Sequence, residues 1–137
     1  MLKPDFLPSH IEWHSAATKD QLIDDLSHYI AQELVLSLRN KTRVSLAVSG
    51  GRSPVKLFEK LAWTKLDWSK VDITLVDERW VSVSLEDSNE WLVRRHLLKG
   101  PAAKAGFFGL KNKCLTVKSG QKECQSVLLN LSLPLDL

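Results

Sequence analysis

RVSLAVSGGRSPVKLFEKL, Arg43 to Leu61, and VDITLVDER, Val71 to Arg79, decide the fold. The run Arg43 to Gly50 is short, rich in Val and Leu, and ends in glycines, which predicts a buried strand entering a tight turn. A helix is expected at once, with Ser53 as N-cap, Pro54 at the first helical position, and Val55, Phe58 and Leu61 on one face. Val71 to Val76 reads as a second buried strand. Strand, helix and strand over so short a span describe a right-handed βαβ unit with parallel strands. The class is α/β.

Upstream, Thr18 and Gln21 have capping-box spacing, and Leu22, Leu26, Ile30, Leu34 and Leu38 recur every four residues, predicting an amphipathic helix over about 19–39. Its His28 falls on the polar side. Downstream, the spacing of Asp87 to Glu90 predicts a helix start that runs to Gly100, with Trp91 and Leu98 inward and Arg94 and Arg95 outward. Gly100 to Gly109 reads as a loop in which Phe107 and Phe108 either plug the core or begin a short strand. Cys114 to Val117 is a candidate strand. A final helix from about 121 carries Cys124, Val127, Leu128 and Leu131 on its buried side. After Pro134, Leu135 to Leu137 resemble the opening of another strand. So few strands rarely cover both faces of a parallel sheet, so the sequence reads as the N-terminal part of a longer protein. An unpaired sheet edge is a route to self-association.

At 137 residues, 44% hydrophobic and 26% charged, the chain has the composition of one globular domain that needs neither disulfide nor structural metal. Cys114 and Cys124 lack CxxC spacing and are read as free thiols. The opening MLKPDFLPSHIEW is broken by Pro4 and Pro8 and carries Lys3, Asp5 and Glu12, which is not a signal-peptide pattern, and no run approaches a membrane span. The expectation is a cytoplasmic protein without a membrane partner. Net charge is +3, yet residues 94–137 hold 8 basic and 2 acidic side chains. These lysines are scattered and read as a solvated face. No nucleic-acid motif accompanies them, and Trp13, Trp63, Trp68, Trp80 and Trp91 are dispersed packing or rim residues, Trp80 being the one placed to border a cleft.

Two loops carry candidate chemistry. In SGGRSP, Ser49 to Pro54, Gly50 and Gly51 allow close backbone approach, the following helix start offers N–H groups to an anion, and Arg52 adds a charged donor. A plain glycine turn accounts for the same residues. The loop matches neither GxGxxG nor GxxxxGK[ST], which argues against a dinucleotide fold or a P-loop kinase. In DER, Asp77 to Arg79, the arginine fork suits a phosphate or carboxylate, and Asp77 or Glu78 is placed to orient it or to accept from a hydroxyl; a surface salt-bridge cluster is the plain alternative. Both loops fall at the carboxyl ends of strands, where α/β sheets bind ligands. Asp87-Ser88-Asn89 is first a helix cap, and Asn89 is placed to reach the same edge.

SGGRSPVKLFEKL, WSKVDITLVDERWV and DSNEWLVRRHLL, in this order and spacing, resemble the 6-phosphogluconolactonase family over Leu46 to Leu98. The resemblance implies an open, Rossmann-like, three-layer parallel α/β fold of sugar-phosphate isomerase/lactonase type. It implies hydrolysis of 6-phospho-D-glucono-1,5-lactone to 6-phosphogluconate in the pentose phosphate pathway, without metal or organic cofactor. Ser49, Gly50, Gly51, Arg52, Arg79 and Asn89 would bind the sugar phosphate, and Asp77 and Arg79 would be the catalytic residues. The related glucosamine-6-phosphate deaminases typically carry tyrosine where this chain has Arg79. The family's presumed base is a histidine in a GxGxDGH-type segment, which this sequence lacks; His10, His14, His28 and His96 have no such neighbours. A deaminase-like isomerase and a non-catalytic sugar-phosphate binder are the alternatives.

Overall fold

The computed structural model describes residues 3–131 and 133–137. Among the described residues three strands, β1 (Val44–Val48), β2 (Val71–Leu75) and β3 (Gly106–Phe108), form a parallel sheet in the order β1-β2-β3. Register pairs Leu46 with Ile73 and Ile73 with Phe107. Because side chains alternate along a strand, Val44, Leu46, Val48, Val71, Ile73, Leu75 and Phe107 share one face. That face meets a buried cluster including Leu34, Phe58, Leu61, Trp68, Val93 and Leu97.

Helices α1 (Lys19–Leu38), α2 (Val55–Leu61) and α3 (Asn89–His96) supply that cluster, α1 packing on α2 and α2 on α3. The other face carries buried polar residues, each with a partner. Asp72 accepts from Arg43 Nε at 2.9 Å, Thr74 Oγ1 donates to Phe108 O at 2.8 Å, and the Ser45 N–H donates to Asp136 Oδ2 at 2.9 Å.

Thr18 caps α1 as its spacing predicts, its side chain accepting from Gln21 N at 3.1 Å. Other boundaries differ from expectation. Pro54 occupies the N-cap of α2 without a side-chain cap, so Ser53 does not fill that role. Ser88, not Asp87, caps α3, which ends at His96; a 3-10 turn, Gly100–Lys104, follows. Val93 and Leu97 are the buried apolar positions of this segment, Trp91 and Leu98 being half-buried, while Arg94 and Arg95 do face outward. Phe107 and Phe108 belong to β3.

Cys114 to Val117 is not a strand, because Thr116 and Ser119 form a reciprocal capping box that starts α4 (Val117–Leu128) earlier than periodicity placed it. On α4 Gly120 is buried, Cys124 only half-buried and Val127 exposed; Leu131 is buried just beyond the helix. Burial still pushes the Cys124 thiol up, away from the reactive thiolate. Leu137 lies alongside β1, its N–H donating to Ser45 O at 3.2 Å and its carbonyl accepting from Ala47 N at 3.0 Å. This is the bond pattern of a parallel bridge to Leu46, although Leu135 to Leu137 do not form a strand of the sheet.

Candidate functional site

Glycine loop, DER segment and α3 start meet at the carboxyl edge of the sheet. Asn89, 3% exposed, is the point of contact. Its Nδ2 donates to Asp77 O at 3.1 Å and lies 3.5 Å from Asp77 Oδ1, and its Oδ1 accepts from Arg79 Nη1 at 3.3 Å. A β-carbon on Gly50 would fall 1.9 Å from the same Oδ1, so the loop backbone can run against Asn89 only because position 50 is glycine. Gly51 follows with φ +91°, a conformation that disfavours other residues, and its α-carbon faces open space.

Glu78, read from the sequence as a residue to orient Arg79 or to accept from a hydroxyl, instead organises the junction through the start of α3. Oε1 accepts from Asn89 N at 2.7 Å and from Arg79 N at 2.9 Å; Oε2 accepts from Glu90 N at 2.9 Å and Ser88 Oγ at 3.1 Å. The carboxylate therefore caps the first turn of α3, where free N–H groups and the helix dipole favour a negative charge. Ser88 Oγ adds the local cap, accepting from Trp91 N at 3.2 Å.

Arg79 is oriented by neither carboxylate of its own segment. Nη1 donates to Asp87 O at 2.9 Å and to Asn89, while among the described residues no hydrogen bond engages Nε or Nη2. Asp77, Arg79, Ser49, Gly51 and Arg52 are exposed and Gly50 half-buried. Arg52 has no side-chain hydrogen bond or ion pair among the described residues, so the structure brings Gly50, Asp77, Arg79 and Asn89 into contact and leaves Ser49, Gly51 and Arg52 on the rim. Below the loop, a cavity of ≈ 550 Å³ between α1, β1 and α2 reaches Ser49, Gly50 and Ser53 and Lys19 at its rim but is lined mostly by apolar residues such as Leu26, Ile30 and Leu57. Trp80 turns toward the 111–120 segment, donating from Nε1 to Cys114 O at 3.1 Å with Lys111 Nζ 4.7 Å from its ring centre.

The histidines lie elsewhere. His96 Nδ1 is 2.9 Å from Glu59 Oε1 on α2, and this contact holds the Glu59 carboxyl below its usual range. His28 Nδ1 is 2.8 Å from Asp24 O within α1, and His14 Nε2 is 2.8 Å from Glu12.

The family model for glucosamine-6-phosphate isomerases/6-phosphogluconolactonase matches residues 17–137. The chain belongs to this family. It is 40% identical over 131 residues to a 6-phosphogluconolactonase of Pseudomonas putida, covering 96% of this chain and 54% of that protein. A 6-phosphogluconolactonase of Pseudomonas aeruginosa is 42% identical over 125 residues, covering 91% and 51%. Among solved structures, a 6-phosphogluconolactonase from Shewanella baltica superposes with a TM-score of 0.85 at 42% identity, over 86% of this chain and 51% of that one. The chain thus spans about half the length of the curated relatives it matches. The open, Rossmann-like parallel α/β fold expected from the resemblance is the fold observed.

Within this family assignment, the signal for Glu78 was available in the sequence but not local. A carboxylate at the end of β2 faces a Ser-Asn-Glu helix start eleven residues on, and only the fold shows that they touch.

Proposed function

We propose that this chain forms the substrate-holding part of a 6-phosphogluconolactonase site, whose reaction hydrolyses 6-phospho-D-glucono-1,5-lactone to 6-phosphogluconate in the pentose phosphate pathway. The observation that carries the reading is Asn89, which ties Gly50, Asp77 and Arg79 into one rigid edge. The phosphate would sit over Ser49, Gly50 and Gly51 with Arg52 at its side. The uncommitted Nε and Nη2 of Arg79 would face the phosphate or the oxyanion that develops when water adds to the lactone carbonyl. Asp77 would accept from a sugar hydroxyl. No cofactor enters this scheme, and the protein would act in the cytoplasm. No described helix is long and apolar enough to cross a membrane.

A general base must activate the water, and none of His14, His28 and His96 lies at the edge. His96 faces α2, and His14 and His28 belong to the surroundings of α1. That placement favours a second reading, a non-catalytic sugar-phosphate binder. Titration of the 137-residue chain with 6-phosphogluconate, beside a lactone hydrolysis assay corrected for spontaneous opening, tests both. Saturable binding that Arg79→Ala weakens about tenfold or more supports the site, on the scale of a lost charge-assisted pair. Binding without turnover selects the second reading for this chain, whereas equal binding by the Arg79→Ala variant removes both.

A further inference from the structure

The end of the molecule opposite the glycine loop holds a second cavity, of ≈ 890 Å³, between the last turns of α1 and α2. The topology places it there: α1 runs into the start of β1, and α2 runs back from the loop at the end of β1 toward the start of β2. Its α1 wall carries the apolar Ala31, Val35 and Leu36 beside the polar Ser27, His28 and Gln32. Its rim carries Arg39, Lys60 and Lys65, and no carboxylate lines it. Lys60 is paired with Asp24, whereas Arg39 and Lys65 have no ion pair among the described residues.

Trp63 completes the lining at 65% exposure. One face of its six-membered ring lies against Gly100, where a β-carbon would stand 3.1 Å from three ring atoms. Cations beside helix C-termini are common because they complement the dipole. That rule does not explain a tryptophan with most of its surface in water beside Ala31, Val35 and Leu36.

We propose that this cavity binds a small planar aromatic anion, its ring stacked on Trp63 above Val35 and Leu36 and its phosphate or carboxylate between Arg39 and Lys65. Stacking on an exposed indole supplies affinity for the ring, and two cations without an ion pair among the described residues supply it for the charge. The site is separate from the Asn89 edge and does not depend on the lactonase reading.

Calorimetric titration of the 137-residue chain with adenosine monophosphate and with 1-naphthyl phosphate at low salt tests the proposal. The expected result is saturable one-to-one binding of at least one probe, retained by Arg79→Ala and weaker for adenosine or inorganic phosphate alone. Trp63→Ala should weaken it about tenfold or more. Arg39→Gln combined with Lys65→Gln should do the same independently, and added salt should reduce it. Failure of both probes to bind at millimolar concentration, unchanged affinity in Trp63→Ala, or displacement by 6-phosphogluconate would each overturn the proposal. Tighter binding of an oligonucleotide than of the mononucleotide would overturn it in favour of a nucleic-acid surface.

Discussion

The side chain of Asn89 occupies the space that a β-carbon on Gly50 would need, with Oδ1 1.9 Å from that position. One contact therefore couples the loop after β1 to the helix after β2. Gly50→Ala must push Asn89 away from Asp77 and Arg79 or move the loop. We expect a loss of about 1–3 kcal/mol in urea unfolding, the usual cost of overpacking, together with weaker 6-phosphogluconate binding. A variant with unchanged stability and binding would show that the contact is not limiting.

Glu78→Gln keeps the size of the side chain but replaces one acceptor oxygen with a donor. One pair of its partners, either Asn89 N and Arg79 N or Glu90 N and Ser88 Oγ, then faces an NH₂ group. Losing these charge-assisted bonds should cost about 1–3 kcal/mol, and helical signal from the α3 region should exchange faster in amide hydrogen exchange. Equal protection of Asn89 and Glu90 amides in both proteins would refute the capping role.

Asn89→Ala removes the link between Asp77 and Arg79 without touching either. Its expected signature is reduced 6-phosphogluconate affinity with Arg79 still present, read by titration. If Arg79→Ala and Asn89→Ala each weaken binding, the double variant should lose less than the two effects combined, because both act through one contact.

Acid should weaken the seam between β1 and the Leu135 to Leu137 segment. Burial pushes the Asp136 carboxyl up, but hydrogen bonds from Lys41 Nζ and Ser45 N, with the Lys41 charge, outweigh it and hold the group below the ordinary 3.8. A folded-state pKa below the unfolded one gives stability that is fully present above the unfolded value and is lost as pH falls through the folded value. Urea unfolding of the native chain and of Asp136→Asn should therefore differ most near neutrality and converge below about pH 4. A difference that stays constant with pH would contradict the linkage.

What the sequence makes legible follows how local each signal is. The β1-α2-β2 unit can be read because alternation, glycines and Pro54 act within a few residues, and the cap of α1 by Thr18 depends on a spacing of three. The start of α4 was misplaced because Thr116 pairs with Ser119 and not with the Glu or Gln that usually completes a capping box. The buried face of α3 was misjudged for another reason. Trp91 is the largest apolar side chain there, but the core takes Val93 and Leu97, and Trp91 stays half-buried with the Arg95 guanidinium 5.3 Å from its ring centre. Residue types named Asp77, Arg79, Gly50 and Asn89 as candidates, and the fold brings these four into contact while Ser49, Gly51 and Arg52 stay on the rim. Which carboxylate faces α3 and which faces solvent is a tertiary fact, and it separates Glu78 from Asp77.

Leu137 beside β1 changes the standing of the strand that carries the glycine loop. β2 is hydrogen-bonded to β1 on one side and the backbone of Asp136 and Leu137 to it on the other, so the chain leaves β1 toward β3 in one direction and returns to its far edge in the other. Connections that diverge in this way open a crevice at the carboxyl end of the strand between them, the topological switch point of an α/β sheet. Ser49, Gly50 and Gly51 stand at its mouth.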